Sequence, residues 1–219
     1  MKTIQETVED IINQTPFIEE ALHDKLINVS SLAREIQPEV AKRLSKEVKN
    51  GAIMMAINRM SPVHVLRIRK NIRSFSLDLK DFMVRSDLLD LTFKNSSSLQ
   101  RHIARIYENI DNNRDSFFTV SQGIFETNMV LSKNIETMVL SELKTEEIIH
   151  SITELASITI KLPKSNLEQS GVYYFILKQF AWANIPVQEI ISTTHEITLV
   201  VKENDIQRSF QILMNLKNR

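Results

Sequence analysis

The order of patterns over residues 155–216 constrains the fold more than any other feature of this chain. Leu155–Leu162 reads as a strand, Pro163–Gly171 as a loop and Val172–Ala183 as an apolar helix. Val187–Ser192 and Glu196–Lys202 read as two strands around a turn at Thr193–His195, and Asp205–Leu216 as a closing helix. The resulting β-α-β-β-α order makes a small sheet that needs helices on one face. It suits ligand sensing better than catalysis.

Composition removes several chemistries. The 219-residue chain has no cysteine, which excludes disulfides, thiolate catalysis and cysteine metal sites. Its three glycines, Gly51, Gly123 and Gly171, are far apart. A phosphate-cradling loop needs several close together, so that backbone amides can approach the anion. The spacing therefore argues against a nucleotide-dependent kinase or a dinucleotide-binding enzyme. Lys and Arg balance Asp and Glu at 27 each, so no whole-molecule field drives binding to nucleic acid or membrane. Met1–Thr15 is acidic and amphipathic, unlike a signal peptide. No apolar run reaches the roughly 20 residues of a membrane span. The expectation is a soluble cytoplasmic protein without cofactor.

The C-terminal order repeats upstream. Asp90–Lys94 reads as a strand, Ser96–Ile110 as a helix, Phe117–Phe125 and Thr127–Lys133 as strands, and Asn134–Leu143 as a second helix. Thr127 aligns with Glu196, an offset of 69 residues (196 − 127). Thr145–Glu154 reads as a connector. The first sixty residues read as helices. Val8, Ile11 and Ile12 form one apolar face, and Thr15-Pro16 starts a second helix with Thr15 as its cap. Asn28–Ile36 is a short helix capped by Ser30 or Ser31, Gln37-Pro38 breaks the chain, and Glu39–Lys49 resumes it. Gly51 interrupts before Ala52–Met60. Ser61-Pro62 marks a boundary, and Val63–Leu79 looks extended.

The stretch Ile158-Thr-Ile-Lys-Leu-Pro, followed by Ser170-Gly-Val, Asn184-Ile-Pro-Val-Gln-Glu-Ile-Ile-Ser-Thr-Thr-His-Glu-Ile-Thr-Leu-Val-Val and Asp205-Ile-Gln-Arg-Ser-Phe, resembles an ACT domain of the aspartokinase regulatory type. The likeness extends to residues 87–143 as a second ACT-like module. It implies amino-acid sensing at an interface between paired sheets, and an assembly of at least two chains. By this resemblance Gly171 and Val172 hold the loop–helix position that contacts an effector, and Asn184 and Ile185 hold the start of the following strand. A helix N-terminus suits a carboxylate, and Asn offers both donor and acceptor. The bland alternative is that Gly171 only turns the chain and Asn184 only ends a helix. The loop 163–170 is long for this role, and the first module has Asn95-Ser-Ser-Ser98 where the second has Gly171. No kinase motif accompanies either module.

The N-terminal segment carries a local charge excess. Residues 40–73 hold nine Lys or Arg against Glu47 alone. Most of Lys42, Arg43, Lys46 and Lys49 share one helix face if the helix runs through them, and Arg67 and Arg69 would alternate on an extended wing. This resembles a winged helix–turn–helix regulator and makes DNA a candidate partner. A solvated basic face is the competing reading. The five histidines show no metal-ligand spacing. The sequence thus predicts an α+β protein: a helical, winged-helix-like segment (1–75), a degenerate ACT-like module (76–145) and an ACT domain (146–219), both modules ferredoxin-like. The predicted function is a non-catalytic cytoplasmic regulatory protein that senses a small molecule, an amino acid by the resemblance, with transcription as one candidate output. The alternative is a regulatory subunit of a biosynthetic enzyme that binds no nucleic acid.

Overall fold

The computed structural model describes residues 2–60, 63–78, 81–110, 116–163 and 169–217. The expected boundary at Ser61-Pro62 lies outside them. The chain divides into two compact units, 1–71 and 72–219.

The first unit contains α1 (Ile4–Asn13), α2 (Pro16–His23), α3 (Val29–Leu44), α4 (Asn50–Arg59) and the start of α5 (Val63–Asp78). A capping box begins α1: the Thr3 hydroxyl accepts from the Glu6 amide, and the Glu6 carboxylate accepts from the Thr3 amide. Val8, Ile12, Leu32, Ala33, Ile36, Val40, Leu44, Ile53 and Ile57 form one buried cluster.

Several expectations fail among these helices, and Gly51, expected to interrupt, lies inside α4. The cap of α3 is Asn28, whose side-chain oxygen accepts from the Ser30 and Ser31 amides. Thr15 makes no side-chain cap bond. Pro38 does not break α3 but lies inside it. A proline there costs about 3 kcal/mol, yet the buried stripe of Leu32, Ala33, Ile36, Val40 and Leu44 continues across it, so packing overrides propensity. Residues 63–78 are helical rather than extended. They include no Gly or Pro, and their Arg, Lys and Leu residues are strong helix formers.

The second unit holds β1 (Phe82–Lys94), α6 (Leu99–Asn109), β2 (Phe118–Gln122), β3 (Glu126–Ser132), α7 (Glu136–Glu142), β4 (Ile148–Lys161), α8 (Val172–Trp182), β5 (Glu189–Ser192), β6 (Glu196–Lys202) and α9 (Ile206–Lys217). All six strands join one antiparallel sheet in the order β2-β3-β1-β4-β6-β5. The two βαββα modules expected from sequence are both present. The supposed connector 145–154 is instead mostly the first half of β4. Its side chains are largely exposed, so no alternation marks it as a strand.

The two long strands are shared. Phe82–Arg85 of β1 pairs with Ser157–Ile160 of β4, and Ile148–Ile152 of β4 pairs with Asp90–Phe93 of β1. Each module therefore has four strands, the fourth lent by the other. Between the two stretches both strands carry a left-handed residue, Asp87 (φ 54°) and Glu154 (φ 58°), beside register shifts. Such bulges bend a strand and increase its twist.

Register fixes the repeat. Leu88 pairs with Ser132 and Lys94 with Glu126, while Leu155 pairs with Lys202 and Lys161 with Glu196. The long strands thus match at 67 residues (155 − 88) and the hairpins at 70 (196 − 126). The expected 69 is one residue out. It would align buried Thr127 with exposed Glu196, which a period of two forbids.

Each module buries one face of its sheet under two helices. Leu89, Leu91, Phe93, Met129 and Leu131 meet Leu99, Ile106, Val139 and Leu143. Ile158, Ile160, Ile197, Leu199 and Val201 meet Val172, Ile176, Phe180, Leu213 and Leu216. The opposite faces also bury residues. Leu88 and Val130 of module one cluster with Leu155 and Val200 of module two. The Arg85 guanidinium lies 5.9 Å over the Phe117 ring across this seam. The sheet is therefore folded at its bulges, with the two bare faces toward each other.

Phe93→Ala is expected to cost about 3–5 kcal/mol as a fully buried aromatic truncation. Because the strands are shared, native-state hydrogen exchange should accelerate in β6 as well as in β1–β3. Acceleration limited to module one would show that the modules open independently.

Candidate functional site

Module two presents its polar groups at the α8 N-terminus. Gly171, the N-cap of α8, adopts φ 93°, a conformation other residues enter only with strain. The first turn of α8 carries no acidic residue of its own. Tyr173 in that turn shares a 2.7 Å hydrogen bond with the Ser192 hydroxyl at the end of β5. The neighbouring Leu162 amide donates to the His195 carbonyl. Helix start, strand end and hairpin turn thus form one polar corner.

The predicted residues divide between backbone and core. Val172 and Ile185 are buried in the module-two core, so neither side chain is open to a ligand. Asn184 sits at the other end of α8, left-handed at φ 54°. The Asn184 amide donates to the Ala181 carbonyl and the Ile185 amide to the Phe180 carbonyl. This is a Schellman ending with Asn in the usual glycine place. Arg208 donates to the Ala183 carbonyl and completes the cap. An 11-residue helix is about 16 Å long. Gly171 and Asn184 are therefore held apart within one module.

Sequence reasoning missed Tyr173 and Ser192. The signal was available: a hydroxyl at the end of a strand that leads into the Ser-Thr turn. It also missed a cleft of about 410 Å³ in the first unit, lined by Glu19, His23, Lys25, Ile27, Ile57 and Asn58 among others.

A second polar cluster lies in the seam. Asp90, buried, accepts from the Asn128 amide at 2.6 Å, and Thr159 and Thr198 share a 2.7 Å bond. The Ser157 hydroxyl is buried with no partner among the described residues. Burial holds the Asp90 carboxyl above its ordinary range. Burial, then the charges of Asp90 and Glu126, does the same to Glu189.

The predicted basic surface loses its shared geometry. α3 ends at Leu44, with Ser45 left-handed at φ 51°, so Lys46 and Lys49 lie beyond the helix that holds Lys42 and Arg43. Arg43 donates to Glu39 at 2.7 Å and to Gln14. Arg69 pairs with Asp24 and lies 3.9 Å from Glu20; its hydrogen bond holds the Asp24 carboxyl below its ordinary range. Arg67 and Arg69 are on helix α5, where no wing exists. Among the described residues no cluster of three His, Asp or Glu could hold a metal ion. Among them, too, no helix is long and apolar enough to cross a membrane.

No protein-family model matches the sequence. No curated protein matches it either. Solved structures do match by fold. The regulatory subunit of aspartate kinase from Thermus thermophilus superimposes with a TM-score of 0.52 at 10% identity, covering 63% of this chain and 97% of that one. The aspartate kinase of Clostridium acetobutylicum gives a TM-score of 0.52 at 10% identity over 63% of this chain. The match spans 34% of that longer enzyme. A structure of aspartokinase alpha and beta subunits gives 0.52 at 10% identity, over 64% of this chain and 99% of that one. The α+β fold with tandem ACT-like modules is thus that of aspartate kinase regulatory regions.

Asn184→Gly is expected to leave the urea midpoint nearly unchanged, since glycine accepts the left-handed conformation. Asn184→Val should cost about 1–2 kcal/mol. Equal midpoints for the two variants would mean that the left-handed cap does not matter.

Proposed function

We propose that this chain is a non-catalytic regulatory protein that senses an amino acid through module two. The observation that carries the reading is the N-terminus of α8, which begins at a left-handed glycine. Its amides, opened by Gly171, lie beside the Tyr173 and Ser192 hydroxyls. Oriented amides at a helix start attract a carboxylate, and hydroxyls can bond the rest of a small polar ligand. The fold adds support, since similar chains serve as a regulatory subunit of aspartate kinase. Kinase activity has no support in this chain, which lacks a cluster of phosphate-binding glycines.

Among the described residues, β2 and β5 are the edge strands of the sheet. Pairing of two copies through β5, the edge strand of module two, would set the two α8 helices side by side, the start of one toward the Asn184 end of the other. A ligand that prefers one arrangement shifts the population toward it, and this shift is the output. The receiver of that output is another protein in this reading, most simply a biosynthetic enzyme. A transcriptional role has less support, because the wing is a helix and Arg43 and Arg69 are engaged by carboxylates.

A thermal-shift screen of the standard amino acids tests the proposal. At least one should raise the melting temperature, since a ligand at 100 times its Kd adds about 2.7 kcal/mol. Gly171→Val should fold less stably and lose that response. Stabilisation by none of them at millimolar concentration would remove the sensing reading. Random duplex DNA at low salt should give no retarded band. A band abolished by Lys42→Ala with Lys46→Ala would restore the nucleic-acid reading.

A further inference from the structure

The position in module one that corresponds to the α8 start is already filled. α6, like α8, has 11 residues, but its leading loop is six residues shorter: the strands repeat at 67 residues and these helices at 73 (172 − 99). No glycine opens it. The Ser96 hydroxyl accepts from the Leu99 amide at 3.1 Å, and the Ser96 and Ser98 hydroxyls each donate to Glu146 at 2.6 Å. Glu146 follows α7, whose C-terminal end comes back to the start of α6. Its side chain is only 4% exposed. His102, one turn into α6, places Nε2 at 3.5 Å from the Glu146 carboxylate and Nδ1 at 2.9 Å from that of Glu142.

We propose that Glu146 is a built-in ligand: its carboxylate occupies the anion position of module one and holds that module permanently in the filled state. The proposal deepens the sensing reading, because it assigns all responsiveness to module two. The two modules would otherwise compete for one effector with unequal sites. With one filled by the chain itself, the shared strands receive a fixed input from one side and a variable input from the other.

The charge pattern agrees. Hydrogen bonds from Ser96 and then Ser98, with His102 nearby, hold the Glu146 carboxyl below its ordinary value of 4.5. The groups around it are His102 on α6 and Glu142 on α7, which Arg105 also contacts at 3.2 Å; next in sequence, Glu147 is engaged by Lys94. A carboxylate with a depressed folded-state value stabilises the fold above its unfolded value and loses that contribution as pH falls through the folded one.

Chemical rescue tests this in the full chain. Glu146→Ala should lower the melting temperature, and excess sodium formate should recover at least half of the loss. Sodium chloride at equal ionic strength should not, nor should formate stabilise the unaltered protein. Absence of formate-specific recovery overturns the proposal. Should that variant fail to fold, Glu146→Gln decides. It should lose part of the acid-induced drop in stability below about pH 4.5, and an unchanged acid limb overturns the proposal. The amino-acid response of the unaltered protein is measured separately. Its absence would remove the sensing reading and leave the formate result to judge Glu146 alone.

Discussion

Everything in the second unit depends on the antiparallel pairing of β1 with β4. The contact is not a simple junction of two finished sheets. Leu88 lies opposite Leu155, and on either side of that point each strand serves a different module. The left-handed residues Asp87 and Glu154 let both strands bend there. Without the bend the bare faces would stay in solvent, and Leu88, Val130, Leu155 and Val200 would have no common core. Without the pairing, each module would lack its fourth strand.

The same arrangement explains why the two helix starts can differ. The cores are separate clusters, each closed by its own pair of helices. Loops at the far ends of the strands are free to diverge once the shared middle is fixed. Module two uses that freedom for a longer loop and a left-handed glycine. Module one uses it for two serines and a returning carboxylate. The polar seam adds a further asymmetry. Asp90 in module one has Asn128 as partner, whereas its counterpart in module two, Ser157, has none among the described residues. An unpartnered buried hydroxyl weakens adhesion where it lies.

Much of this was legible in the sequence. The hairpins β2–β3 and β5–β6 and the helix α8 announce themselves, because one face is buried and a period of two or of 3.6 follows directly. The N-terminal half of β4 did not, since Ile148 and Ile149 are exposed and the strand is held by pairing rather than by burial. Helix α5 was misread because its β-branched residues weigh toward strand while its long cationic residues weigh toward helix, and Ser61-Pro62 reads as a boundary as readily as a helix start. Pro38 misled because local chemistry forbids what a buried stripe over five positions enforces. At the site, Gly171 and Asn184 were found by residue type, and both take left-handed conformations. The role of Glu146 was hidden, because it rests on a contact across 48 residues with Ser98 that no local spacing encodes.

The exchange of fourth strands also bears on how such a chain can change over time. Two independent copies of a module can drift apart, be shuffled or be lost one at a time. Here removal of either leaves the survivor with a raw β edge and half a bent strand in water. A tandem pair in this state is hard to take apart, because each member's strand is indispensable to the other whatever its own site does.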